Sequence, residues 1–127
     1  MKDSCDSGNL IKSHAIWKTK LAIAIANEEL LDVKTISQKD FCIVGKWLHD
    51  ESNHSKYGHL QSYIDCVRKH IKFHIEAGKV AELANAKKHT DALLLLNDNA
   101  SAFNVASEEI TLAIFNFLHD LDKLNEL

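Results

Sequence analysis

Apolar residues recur along this chain at helical rather than strand spacing. Over 10–31, Leu10, Trp17, Leu21, Ile25 and Leu30 share one face with His14, and the run AIWKTKLAIAIANEELL consists of good helix formers. The polar stretch DVKTISQKD predicts a connection, with Ser37 as N-cap and Asp40 in the first turn of a short helix over KDFCIVGKWLHDE. SNHSKYG reads as a turn or as the ragged start of a third helix over 57–83. There Leu60, Ile64, Val67, Ile71, Ile75 and Val80 keep a period near 3.6, and Asn85 marks a break. Beyond it Leu96, Phe103, Ile110, Phe117 and Leu124 repeat every seven residues, with Ala100, Ile114 and Leu121 between them. That seam predicts one long final helix. No period-2 strand, internal repeat or interdomain linker interrupts the pattern. The predicted fold is all-α, an antiparallel four-helix bundle with a short extra helix in the crossover between the first and third long helices. It forms a single domain over 1–127, with 1–9 frayed or flexible.

Composition narrows this picture slightly. The 127 residues contain no proline and four glycines, which favours unbroken helices. A net charge of −3 supplies no electrostatic reason to expect nucleic acid or an anionic membrane surface as partner. No signal-peptide stretch is present, and nowhere do about 18 apolar residues run together, so the expected setting is cytoplasmic. Three cysteines, Cys5, Cys42 and Cys66, are too few and too odd in number for a disulfide framework. Eight histidines is a high count for this length.

Two of those histidines, His70 and His74, stand four apart in RKHIKFHIEAG. On a helix this spacing brings both imidazoles to one face, within reach of one ion. The pair alone is a weak signal, because solvated histidine pairs are common. His14 lies on the apolar face of the first helix, three residues before Trp17, and Cys42 opens the apolar segment CIVGKW. An inward histidine is commonly a satisfied core group, and a buried thiol behaves as a small hydrophobe. Taken together, however, three histidines and one cysteine from three helices are a standard tetrahedral zinc set.

The order HAIW, 24 residues, CIVGKW, 22 residues, HIKFH resembles the signature of the bacterial chemoreceptor zinc-binding (CZB) domain family. The likeness covers about 10–125, with both tryptophans and Gly45 in register. Val44 stands where leucine or phenylalanine is common, a change in packing rather than ligation. The resemblance implies that His14, Cys42, His70 and His74 hold one zinc ion. It implies a sensory module that relays zinc or redox status to a chemoreceptor or diguanylate cyclase domain, in cis or in trans, and that often works as a homodimer. Trp17 and Trp47 would wall the ion, though plain core packing serves equally well. Gly45 would allow another backbone to approach closely.

Cys66 competes for the fourth ligand position, since Cys66, His70 and His74 form a stripe at four-residue steps. One helix rarely supplies three tetrahedral ligands, so Cys66 reads as an unligated neighbour or a resolving thiol. His49, His54, His59, His89 and His119 lie off the motif and read as surface groups. Glu51 and His54 form an ExxH by chance, because a carboxylate-bridged di-iron site needs that motif twice. A closed Cys–His₃ set has no vacant position for a substrate, so the chain is not expected to be an enzyme. Two alternatives remain at this stage: a hemerythrin-like bundle handling iron or oxygen, and a structural adaptor merely stabilised by zinc.

Overall fold

The computed structural model describes residues 7–38 and 43–125, with side chains over 16–38 and 45–124. Every regular element among them is a helix: α1 (Ser7–Ala26), α2 (Val33–Ser37), α3 (Ile43–Leu48), α4 (Glu51–Tyr57), α5 (Gln61–Asn85), α6 (His89–Asn97) and α7 (Ala102–Asn125). None of these helices is long and apolar enough to cross a membrane.

Helix α1 stops at Ala26, short of the predicted Leu31. Glu28 adopts the left-handed conformation at φ 54°. The Glu29 N–H reaches back to the Ala24 carbonyl at 2.9 Å while the Glu28 N–H bonds Ile25 at 3.0 Å, the paired bonds of a Schellman ending. Helix α5 ends the same way. Lys87 sits at φ 64°, and the N–H groups of Lys88 and Lys87 bond the carbonyls of Leu83 (2.9 Å) and Ala84 (3.1 Å). Glycine ordinarily marks such an ending and neither position has one; the sequence therefore gives no stop at Ala26, whereas Asn85, read as a break, is the last residue of α5.

Residues 33–37, predicted as connection, form α2. Its N-cap is Asp32, which accepts from the Thr35 N–H at 3.2 Å and from the Thr35 hydroxyl at 2.8 Å. Ser37 is therefore the last residue of a helix rather than an N-cap, and its hydroxyl donates to the Val33 carbonyl at 2.7 Å. Asp40 lies outside the described residues. The predicted short helix survives as α3. SNHSKYG belongs to α4, which opens on Asp50 accepting from the Ser52 N–H at 2.9 Å.

The single final helix of the prediction is two helices. Ser101 caps α7 by accepting from the Asn104 N–H at 3.1 Å, and its hydroxyl donates to the Leu95 carbonyl at 2.6 Å. The Asn104 amide donates to the carbonyls of Leu96 (2.9 Å) and Asp98 (2.7 Å), and so satisfies the orphan end of α6. The apolar seam crosses this break intact: Leu96, Phe103, Ile110, Ile114 and Phe117 are all buried, while Ala100 and Leu124 are exposed.

Helix α5 runs through the centre, packed against α2, α6 and α7, while α1 packs against α3, α6 and α7. Its buried face is not the predicted isoleucine stripe. Tyr63, Cys66, His70, Phe73, His74, Ala77, Val80 and Ala81 point inward, whereas Ile64 and Ile71 are half-buried and Ile75 is 45% exposed. Histidines and small residues occupy the inner positions, so a stripe traced through the branched aliphatics alone is rotated away from the core. Leu112 and Phe115 on α7 remain 58% and 53% exposed.

Candidate metal centre

His70 and His74 project from the middle of α5 into the core, and both are 0% exposed. Their ring centroids lie 4.6 Å apart with planes tilted by 69°. Two imidazoles bound to one tetrahedral ion, each with a Zn–N bond of about 2.0–2.1 Å, have centroids about 5 Å apart. The separation found here therefore fits convergence on a single ion.

His74 is oriented by α2. Its Nδ1–H donates to the Ile36 carbonyl, 38 residues away, at 2.8 Å, which leaves Nε2 as the ring nitrogen without a proton. Burial holds the imidazole below its ordinary pKa of 6.5, and only part of that effect is offset by the bond to Ile36. The ring is thus neutral and in one tautomer, the form that can donate a lone pair to a metal. The indole of Trp17 on α1 stands edge-on to the same ring at 5.3 Å, and Phe73 flanks it at 5.3 Å.

The close approach of α2 depends on Gly78. A Cβ there would meet Ser37 Oγ at 2.1 Å and Ser37 Cβ at 3.2 Å. A glycine inside a helix costs about 1 kcal/mol relative to alanine, and here it lets α2 lie near enough for Ile36 to reach His74. Asn85 secures the other end of that loop, accepting from the Leu31 N–H at 2.8 Å and donating to the Leu31 carbonyl at 2.7 Å. At the start of α5 the buried Tyr63 hydroxyl donates to the Leu48 carbonyl and so holds the end of α3.

Of the four expected ligands, His70 and His74 are brought together. The side chain of His14 and the whole of Cys42 lie outside the described residues. Among the described residues no group of three or more histidine, cysteine, aspartate or glutamate side chains is arranged to hold a metal ion. Gly45 is buried. Trp17 stands beside the histidine pair, but Trp47 belongs to an aromatic cluster, stacked on Tyr57 at 5.9 Å and tilted against Phe117 at 5.5 Å. The two tryptophans therefore do different work.

Cys66 is buried one turn before His70, and burial, with a smaller push from the Asp65 charge, raises its thiol to about 12. A thiol protonated to that degree is a poor nucleophile. The buried carboxylate of Glu76 is taken up by Lys72 at 2.7 Å and Lys79 at 3.3 Å. His54, His59 and His119 are exposed as expected, and His89 is half-buried. His49 departs from the surface reading. It is half-buried, with its ring centroid 6.2 Å from that of His70. Sequence patterns carried no sign of the Ile36 carbonyl, a backbone group. Gly78, a glycine inside a long helix, is the sequence feature that could have signalled the close approach of α2.

No family model matches this chain, and neither the curated proteins nor the solved structures contain a match.

Proposed function

We propose that the chain is a zinc-binding sensory module of the CZB type, holding one ion through His14, Cys42, His70 and His74. The observation that carries this reading is the buried His70–His74 pair with His74 held by Ile36, a preorganised half-site of the kind zinc centres use. In this reading α1, α5, α6 and α7 are the four helices of the bundle, and α2 to α4 form the crossover between α1 and α5. When bound, zinc supplies a fixed charge joining the ligand-bearing segments. The chain's own residues supply neutral imidazoles, a dry site beside Trp17 and Phe73, and a thiolate at Cys42.

The proposed output is conformational. Affinity requires Cys42 to be deprotonated and unoxidised, so proton or oxidant status and zinc occupancy are coupled to how the helices pack. A receptor or cyclase domain, in cis or in trans, would read that packing, and the exposed Leu112 and Phe115 offer apolar surface to a second copy. The four-ligand set leaves no coordination position for a substrate, so we assign no catalysis. The hemerythrin-like alternative draws no support from Glu76, whose carboxylate is engaged by two lysines.

Metal content of purified wild type, Cys42→Ala and His74→Ala, measured by plasma mass spectrometry, tests the assignment. One zinc per chain, lost or weakened in both variants, is the expected result. Iron, two metals per chain, or zinc unaffected by either substitution overturns it.

A further inference from the structure

Between α5 and α7 lies a hollow of about 390 Å³ on the outer side of the helix pair. Two side-chain ties bracket it: Ser62 donates to Asp120 at 2.5 Å, and Lys69 bonds Glu109 at 3.3 Å. Residue 62 is thus level with 120 and residue 69 with 109, so the two helices run antiparallel along the hollow. The buried Ala113 gives it an apolar lining, and Leu112 stands at its lip, 58% exposed. Val105, two turns before Leu112 on the same side of α7, is 42% exposed.

The hollow and the leucine complement each other. By the same register Leu112 is level with Arg68, close to the middle of the hollow. A twofold axis passing there, across both helices, sets α5 against α5 of a second copy in the antiparallel sense and brings each Leu112 over the other copy's hollow. Charge fits the same operation. Asp65 and Lys69 both line the hollow, one turn apart on α5, so antiparallel pairing puts Lys69 of each copy opposite Asp65 of the other. Size fits as well. Helices of 25 and 24 residues, at about 1.5 Å per residue, present a layer about 36 Å long and about 20 Å wide. That is about 700 Å², close to the roughly 800 Å² per partner of a stable interface.

We infer that two copies of this chain associate through the α5–α7 face, antiparallel about a twofold axis, with each Leu112 seated in the other's hollow between reciprocal Lys69–Asp65 pairs. The inference shares with the reading above only the second copy, and no proposed zinc ligand takes part in it. Helix α5 carries His70 and His74 on its inner face and this association on its outer one.

Sedimentation equilibrium of the full chain tests it, with metal content measured on the same samples and circular dichroism checking that each variant is folded. Wild type is expected to dimerise at micromolar concentration. Leu112→Asp, at an exposed position, should weaken the dimer about thirtyfold or more, as loss of a central anchor does. Asp65→Lys and Lys69→Asp should each weaken it about tenfold or more, because like charges then face each other across the axis. Mixed in equal amounts, these two variants should recover wild-type affinity, since opposite charges meet again at both contacts. A monomeric wild type overturns the inference. So does a dimer that Leu112→Asp leaves within about twofold of wild type, or a charge mixture as weak as its components. A dimer that binds no zinc upholds this inference while the zinc reading fails, and a zinc-loaded monomer does the reverse.

Discussion

Replacing Gly78 with alanine tests whether α2 is held against α5 as closely as the orientation of His74 requires. In an ordinary helix interior the change would stabilise the protein by about 1 kcal/mol. Here the new methyl meets Ser37 Oγ at 2.1 Å and Ser37 Cβ at 3.2 Å. The hydroxyl can swing aside only by giving up its 2.7 Å bond to the Val33 carbonyl, a loss of about 1 kcal/mol. The Cβ–Cβ approach remains, and lifting α2 to relieve it costs about 1–3 kcal/mol, as overpacking does elsewhere. The net expectation is destabilisation by about 1–3 kcal/mol despite the gain in helix propensity. Urea unfolding followed by far-ultraviolet circular dichroism measures it as a lower midpoint at constant slope. Ser37→Gly removes both clashing atoms and leaves only the ordinary 3.7 Å contact with the Ser37 backbone. The double variant should therefore be more stable than the sum of the single effects by at least about 1 kcal/mol. A Gly78→Ala protein as stable as wild type or more so, or strict additivity with Ser37→Gly, would refute the reasoning.

Three further outcomes follow from the same packing. Tyr63→Phe leaves the buried Leu48 carbonyl without its donor and should cost about 1–3 kcal/mol; a thermal midpoint within a degree of wild type would count against that bond. Lys87→Gly relieves a left-handed non-glycine residue at φ 64° and should stabilise by about 1 kcal/mol, read as a midpoint rise of about 3–5 °C; no rise would argue against the Schellman ending of α5. In the metal-free protein, His74 binds its proton less readily when folded than at the ordinary value of 6.5. The unfolded chain thus holds more protons just below that pH, and stability should fall as pH drops from 6.5 toward the lowered folded value. Above 6.5 this contribution is flat, and Glu76, whose carboxyl lies below its ordinary 4.5 despite burial because Lys72 and Lys79 bond it, adds its own loss only at more acid pH. His74→Leu should flatten the window below 6.5, and an unchanged slope in that variant would assign the effect elsewhere.

Much of this molecule was legible in its sequence. Helical spacing predicted an all-α chain, the seam through Leu96, Phe103, Ile110 and Phe117 identified a buried face, and the i, i+4 spacing of His70 and His74 placed both rings on one side of α5. These are local regularities, set by 3.6 residues per turn and by the solvent preference of each side chain. The end of α1 was less legible, because Glu28 takes a conformation that glycine would have announced, whereas Asn85 marked the end of α5. The division of α6 from α7 was written in Asp98, Ser101 and Asn104 but hidden by an apolar repeat that continues across it.

Other features depend on tertiary structure alone. The rotation of α5 is one: Ile75 and His74 are neighbours in sequence, and only the packing of α2, α6 and α7 decided that the imidazole is buried and the isoleucine exposed. The Ile36 carbonyl beside His74 and the Asn85 clamp on Leu31 are others. Each joins segments distant in sequence through one or two backbone atoms. Such contacts leave no period to read, because they arise where helices cross, and crossing geometry follows from the volume of every side chain between them.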